Sequence, residues 1–379
     1  MPQTNPRVDP LPRPRLAPIA AALPDTVPFT GPETLERRMG QPFLARLGAN
    51  ESPFGAAPAA QAAMAAALSA GWKYGDPENH DLRHALAGHH GVEPDHIMVG
   101  EGIDGLLGLA VRLYAAPGAI LVTSLGAYPT LNYHAAGFGA RVVSVPYRDN
   151  AEDLTALAAM ARQHAAAIVY LANPDNPMGS WHSAEAVETF IDAVPTNTLI
   201  LLDEAYGEFA PQGTLPALDT SRANVLRLRT FSKAYGMAGL RCGYAIGDRQ
   251  TIGAFNRVRN HFGVNAVAQA GALAALAAPD HLADVLARTG AARTRIAQIA
   301  TINGLRPLPS ATNFVTIDCG RDAAFASGLL DALARQRIFI RKPMAPGLDH
   351  CIRISVGSDL ELDLLTQVMP NAIAAVPAD

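Results

Sequence analysis

Cysteine is scarce: three residues in 379, at Cys242, Cys319 and Cys351, far apart and without CxxC spacing. A disulfide framework and a zinc site are therefore not expected, no metal is assigned, and a reducing compartment, the cytoplasm, is the expected location. Long apolar runs are also missing, none reaching the roughly 18 residues of a membrane span. The stretch Leu16–Leu23 follows Arg13 and Arg15, but it is short for a signal core and broken by Pro18. Charge excess is small, at −4, which leaves no electrostatic footprint for nucleic acid. The pattern GxxxxGK[ST] does not occur, which argues against nucleoside triphosphates, and the glycine spacing of Gly100-Glu101-Gly102-Ile103-Asp104-Gly105 is a weak signal taken alone.

What is present is an ordinary globular composition, 49% apolar and 17% charged, on a chain long enough for two domains. Twelve of the 29 prolines fall in the first sixty residues. Proline fixes φ and lacks an amide donor, so this segment is expected to be an extended arm, its first ten or so residues disordered. Ala59–Ala70 reads as an alanine-rich helix. From residue 95, apolar runs recur every 20 to 30 residues or so: Ile97–Val99, Ala119–Thr123, Val142–Val145, Ala167–Ala172, Thr198–Asp203, Val225–Leu228 and Gly243–Ile246. Helical patterns separate most of them, which predicts a largely parallel sheet between helices. After about residue 280 the rhythm changes to a long helix (Leu282–Ile302), a strand (Asn313–Asp318), a helix (Ala323–Arg335), two short strands (Ile338–Arg341, Cys351–Ser355) and a last helix. The expected division is an arm over 1–58 that joins the small domain, a large domain over 59–280 and a small α+β domain over 281–379.

Polar residues cluster behind several strands: Asn173–Asn176, Asp203–Tyr206 and Thr230–Lys233. Ligands of open α/β sheets sit at the carboxyl ends of the strands, so these clusters predict one site. In Arg229-Thr230-Phe231-Ser232-Lys233, two hydroxyls precede an amine, and Arg241 follows eight residues on. A lysine that forms a Schiff base needs desolvation or cationic neighbours to lower its pKa, and hydroxyls with a guanidinium suit a phosphate. Asp203 ends a buried strand, where a carboxylate needs a partner. A protonated pyridine nitrogen would be one; the cap of a following helix is the plainer alternative. Together these residues point to pyridoxal phosphate. Tyr206 and Asn176 suit the ring oxygen, although the Asn173–Gly179 turn has structural reasons of its own to exist. Amides of Ile103 and Asp104 at a helix start suit the phosphate. Tyr128 reads equally as a ring-stacking or a core aromatic. Arg341 and Arg353 end strands, where either anion binding or a surface ion pair would explain them.

The assembly resembles the class I and II aminotransferases of pyridoxal-phosphate fold type I, over roughly residues 28–365, and within them the histidinol-phosphate branch. The likeness is carried by Asp203-Glu204-Ala205-Tyr206, the Arg229–Tyr244 run, Val264–Ala270, Gly48–Gly55 and Cys351-Ile352-Arg353-Ile354-Ser355. It implies an α/β fold whose large domain has a mostly parallel seven-stranded sheet, beside a smaller α+β domain. It also implies Lys233, Asp203 and Tyr206 as catalytic residues and pyridoxal 5'-phosphate as cofactor, bound by Ile103, Asp104, Tyr128, Asn176, Asp203, Tyr206, Thr230, Ser232, Lys233 and Arg241. Tyr74 would reach the phosphate in a partner subunit, giving a homodimer with shared sites. Asn50, Arg341, Arg353 and Phe29 would face the substrates, an amino donor and a 2-oxo acid, with histidinol phosphate and 2-oxoglutarate as the expected pair. Departures at Gly105, Ser52, Phe54, Asp175, Met178, Gly75 and Phe29 lie where substrate choice is set. Transfer from aromatic or other specialised amino acids, a phosphothreonine-type decarboxylase, and a non-catalytic binding protein of the same fold stay open.

Overall fold

The computed structural model describes residues 14–25 and 29–377; the expectation for the first ten residues lies outside that range. A two-residue strand β1 (Ala45–Arg46) precedes a seven-stranded sheet of β2 (Ile97–Gly100), β3 (Ile120–Ser124), β4 (Arg141–Val145), β5 (Ile168–Ala172), β6 (Leu199–Asp203), β7 (Val225–Thr230) and β8 (Gly243–Gly247). The order across the sheet is β2-β8-β7-β6-β5-β3-β4, and β8 runs antiparallel to both neighbours. Each apolar run singled out in the sequence becomes one of these strands.

Alternation within the strands sorts side chains between two cores. Ile168 and Tyr170 of β5 and Leu199 and Leu201 of β6 pack with Leu106 and Leu107 of the helix Gly102–Tyr114. Val169, Leu171, Ile200 and Leu202 point the other way, onto Leu157, Val187 and Phe190. With both faces covered, the strands can be continuously apolar. Emptying one such position, Leu201→Ala for example, costs about 2–5 kcal/mol.

A second, antiparallel sheet has the order β12-β10-β9, from β9 (Arg306–Pro307), β10 (Phe314–Asp318) and β12 (Cys351–Ser355). Its core takes Ile296, Leu329, Leu333, Leu362 and Leu365 from three helices, and Ala45 and Leu47 from the N-terminal segment. Strand β1 pairs parallel with β11 (Ile338–Phe339). The expected strand Ile338–Arg341 is thus shorter, because its partner is only two residues long.

The expected extended arm needs correction, since Pro32–Met39 is helical. Pro32 stands at the first helical position, Glu33 in the first turn, Arg37 and Arg38 in the last, and Gly40 closes the helix at φ 71°. Each choice favours a helix end, which outweighs the local proline content. Arg46 then ties this helix to β1 through Glu33 at 2.8 Å and Glu36 at 2.6 Å. No single helix among the described residues is long and apolar enough to cross a membrane.

Candidate active site

The sheet presents its carboxyl ends to one cavity of about 210 Å³. The chain turns outward in opposite directions from β3 and β5, and such a switch point opens a crevice. Tyr128 follows β3, Asn176 follows β5, Asp203 ends β6, and Thr230, Ser232 and Lys233 come off β7; all line the cavity. Ile103, Asp104, Tyr206 and Arg241 complete the group.

Asp203 is 5% exposed. Its Oδ2 accepts from the Tyr170 hydroxyl at 2.7 Å and its Oδ1 from the Ala205 amide at 2.9 Å. Burial pushes the carboxyl up to about 6, although those two donors favour the ionised form. It has no ion-pair partner among the described residues, so a buried negative charge faces the cavity uncompensated.

Lys233 is half-buried, with Nζ donating to the Asn50 carbonyl at 3.2 Å. Burial, followed by the charge of Arg353, pushes the amine down to about 8. The loop that carries it passes close to the N-terminal segment. At Gly236 (φ 67°) a Cβ would lie 2.3 Å from the Gly55 backbone, so only glycine fits. Asn50, 2% exposed, links the two sheets: its Nδ2 donates to the Tyr206 hydroxyl at 3.0 Å and its Oδ1 accepts from Ser355 at 2.7 Å. The Asn313 amide donates to the same Asn50 carbonyl at 3.0 Å. Burial raises the Tyr206 phenol above its ordinary range.

At the other end of the cavity, the helix Gly102–Tyr114 begins without a side-chain cap, so its first amides are free to meet an anion. Arg241 lies over this start, with Nη2 3.3 Å from Asp104 Oδ2 and Nη1 3.5 Å from Ser232 Oγ. A Cβ at Gly102 would come within 2.7 Å of that guanidinium. Thr230 Oγ1 donates to Ser232 Oγ at 2.9 Å, and the Tyr128 hydroxyl reaches Asp104 at 3.5 Å. Two hydroxyls, a guanidinium and open amides at one end, an unpaired carboxylate and a lysine of lowered pKa at the other: this donor set fits a phosphorylated, protonated pyridine aldehyde.

The chain matches the family model for aminotransferase class I and II over residues 44–369. It belongs to that family. Class I and II aminotransferases of this kind work with pyridoxal 5'-phosphate and exchange an amino group between an amino donor and a 2-oxo acid. Among similar proteins is histidinol-phosphate aminotransferase 2 of Ralstonia nicotianae, 37% identical over 88% of this chain and 90% of that one. The histidinol-phosphate aminotransferase of Roseiflexus castenholzii is 36% identical over 93% and 97%. The crystal structure of histidinol-phosphate aminotransferase from Sinorhizobium meliloti, in complex with pyridoxal 5'-phosphate, superimposes with a TM-score of 0.93 at 51% identity, covering 96% of this chain and 98% of that one.

The remaining candidate residues of this aminotransferase lie outside the cavity lining. Arg353 donates to Asn176 Oδ1 and, at 3.2 Å, to the Gly48 carbonyl. Arg341 is bridged to Arg353 through the backbone, stacks on Phe29 at 4.0 Å and donates to the Thr30 carbonyl at 2.6 Å. Tyr74 is 81% exposed and stacks on Phe262 at 4.5 Å, away from the cavity of its own chain. Sequence reasoning missed Tyr170, Asn313 and Ser355. Tyr170 had a signal: it is the one hydroxyl-bearing residue in Ile168-Val169-Tyr170-Leu171-Ala172, two positions from Ala172, which pairs with Asp203.

Proposed function

We propose that this aminotransferase exchanges the amino group of histidinol phosphate with 2-oxoglutarate, as a cytoplasmic homodimer whose subunits share their sites. The substrate reading is supported by the S. meliloti relative, named for that activity and 51% identical over nearly the whole chain. Two arginines joined by a backbone bridge, Arg341 and Arg353, suit substrates with anionic groups. Free, buried Cys242, Cys319 and Cys351 suit a reducing compartment. The exposed rings of Trp72 and Tyr74 suit a surface covered by a second copy.

When bound, pyridoxal 5'-phosphate supplies an electrophilic carbon for the donor's amine and a ring that takes up the electron pair left as the Cα proton departs. Asp203 would hold the proton on the ring nitrogen, relieving its own unpaired burial. Tyr206 and Asn176 would donate to the ring oxygen, while Tyr128 stacks on the ring. The phosphate would meet the amides of Ile103 and Asp104, then Thr230, Ser232 and Arg241, with Tyr74 from the partner. Lys233 would hold the aldehyde carbon until the donor's amine displaces it, then move the Cα proton through Nζ. An amine with its pKa near 8 can both accept and return a proton at neutral pH. Arg353 would grip the 2-oxo acid carboxylate and Arg341 a second anionic group, with Asn50 and Phe29 bordering the substrates.

The observation that carries the cofactor reading is the uncompensated Asp203 carboxylate sharing a cavity with Lys233. A substrate panel tests the reaction. Turnover with histidinol phosphate and 2-oxoglutarate, without carbon dioxide release, is expected; no rate with histidinol phosphate but turnover of aromatic amino acids would replace the substrate.

A further inference from the structure

Glu152, Asp175 and Asp203 are three buried carboxylates near the ends of β5 and β6, and only Asp203 has a role in the reading above. Asp175 is 2% exposed and fully engaged. Its Oδ1 accepts from the Tyr147 hydroxyl at 2.8 Å and its Oδ2 from the Met178 amide at 2.9 Å. Its own amide donates to the Ser180 carbonyl at 2.8 Å, and its carbonyl accepts from Gly179 at 3.1 Å. The adjoining Asn176 accepts from Arg353 Nη1. Among the described residues the buried Nε of Arg353 has no hydrogen-bond partner, and among carboxylates it is the charge of Asp175 that Arg353 feels.

We propose that Asp175 is a positioning residue for Arg353: it fixes the turn that aims the guanidinium, and its charge sets how strongly that guanidinium holds a substrate carboxylate. This rests on the reading of Arg353 as the carboxylate clamp. The physical reason is competition. An ionised Asp175 already offsets part of the Arg353 charge, so an incoming carboxylate gains less from it; a neutral Asp175 leaves the full charge to the substrate.

The groups facing Asp175 decide which state it takes. They are Tyr147 beyond β4, Glu152 ahead of the helix Leu154–Gln163, Tyr170 on β5 and Arg353 on β12. Glu152 accepts from Ser124 Oγ at 2.5 Å and the Ala172 amide at 2.9 Å, while burial and then the Asp175 charge push it well above the carboxylate range. Two buried carboxylates oppose each other's ionisation, and Arg353 is the cation that favours a charge on Asp175. Burial raises Asp175 to about 7, with the Met178 amide, the Tyr147 hydroxyl and Arg353 opposing. Below that pH the 2-oxo acid should bind tightly; above it, binding should weaken.

The test is the KM for 2-oxoglutarate of the holoenzyme between pH 6 and 8.5, read as the ratio of wild type to variant, so that titration of Lys233 and Asp203 cancels. Wild-type KM should rise about three- to tenfold relative to Asp175→Asn, an isostere that can keep the turn. Tyr147→Phe removes a donor that steadies the ionised form, so the midpoint should move to higher pH, which gives a second reading should Asp175→Asn not fold. Arg353→Lys, as control, should raise KM at least about tenfold at every pH. An unchanged KM in Arg353→Lys would remove the clamp and this proposal with it. A raised KM there, with Asp175→Asn or Tyr147→Phe following the wild-type pH course, would overturn the role of Asp175 alone.

Discussion

Asp203 and Glu204 are consecutive residues, yet among the described residues one carboxylate has no charged partner and the other has two. Glu204 is 0% exposed, and its Oε1 accepts from Arg227 Nη2 at 2.6 Å and Nε at 2.9 Å. Its Oε2 accepts from Arg229 Nε at 2.8 Å, and Arg229 also reaches Glu208 at 3.1 Å. Successive side chains along extended chain point to opposite sides, so the end of β6 sends one carboxylate into the cavity and the next toward the arginines of β7. Two neighbours of the same chemistry thereby acquire opposite effects on stability.

Replacing Asp203 should stabilise the cofactor-free protein and damage the enzyme. An aspartate titrates near 3.9 when unfolded, and burial brings Asp203 to about 6 in the fold. The folded state therefore binds the proton more tightly, and stability falls as pH rises from about 4 through 6. A two-unit shift corresponds to about 3 kcal/mol at neutral pH. Asp203→Asn should recover about 1–3 kcal/mol of it in urea denaturation at pH 7, and nothing at pH 4. Its rate of amino transfer should drop about 100-fold or more, because the ring nitrogen loses its counter-charge.

Glu204→Gln should do the reverse. It leaves Arg227 and Arg229 with a neutral neighbour in a buried place, and breaking such a network costs about 3–5 kcal/mol. Denaturant unfolding should show that loss, while the cofactor affinity of the folded fraction stays at the wild-type value. A loss below about 1 kcal/mol would mean that Glu208 alone compensates the pair.

How far the site could be read in advance follows from the same geometry. Lys233, Asp203, Thr230, Ser232 and Asn176 stand directly behind apolar runs, where the strand rhythm already predicts a ligand crevice, and the cavity gathers them all. The strands were equally legible, because continuous β-branched and aliphatic runs have one low-energy arrangement between helices. Asn313 and Ser355 were not legible. They act through Asn50, more than 250 positions away in sequence (separations of 263 and 305 residues), and nothing local in either marks the contact. The helix Pro32–Met39 is hidden from a count of prolines because position decides their effect: Pro32 at a first turn supports what the same residue would break further in.

Lys233 gives a kinetic prediction with a definite sign. Only the unprotonated amine attacks an aldehyde, and burial places its pKa at about 8. The rate at which cofactor-free protein captures pyridoxal 5'-phosphate should rise about tenfold per pH unit below 8 and level off above it. Stopped-flow absorbance measures this directly. Borohydride reduction of the holo-protein should then label the peptide that contains Lys233, and Lys233→Ala should take no label. A label on another lysine would displace the whole site assignment.

Subunit sharing can be settled by complementation. Tyr74 stacks on Phe262 at the surface, 81% exposed, and contributes nothing to the cavity of its own chain. If it completes the phosphate site of a partner, Tyr74→Ala and Lys233→Ala are each defective alone, but a dimer with one of each has one intact site. That site takes Lys233 from one subunit and Tyr74 from the other. Refolding an equal mixture gives hybrids as half of the dimers, so activity should recover to about a quarter of the wild-type value per site. Were Tyr74 to act within its own chain, or not at all, the mixture would show only the mean of its two parents.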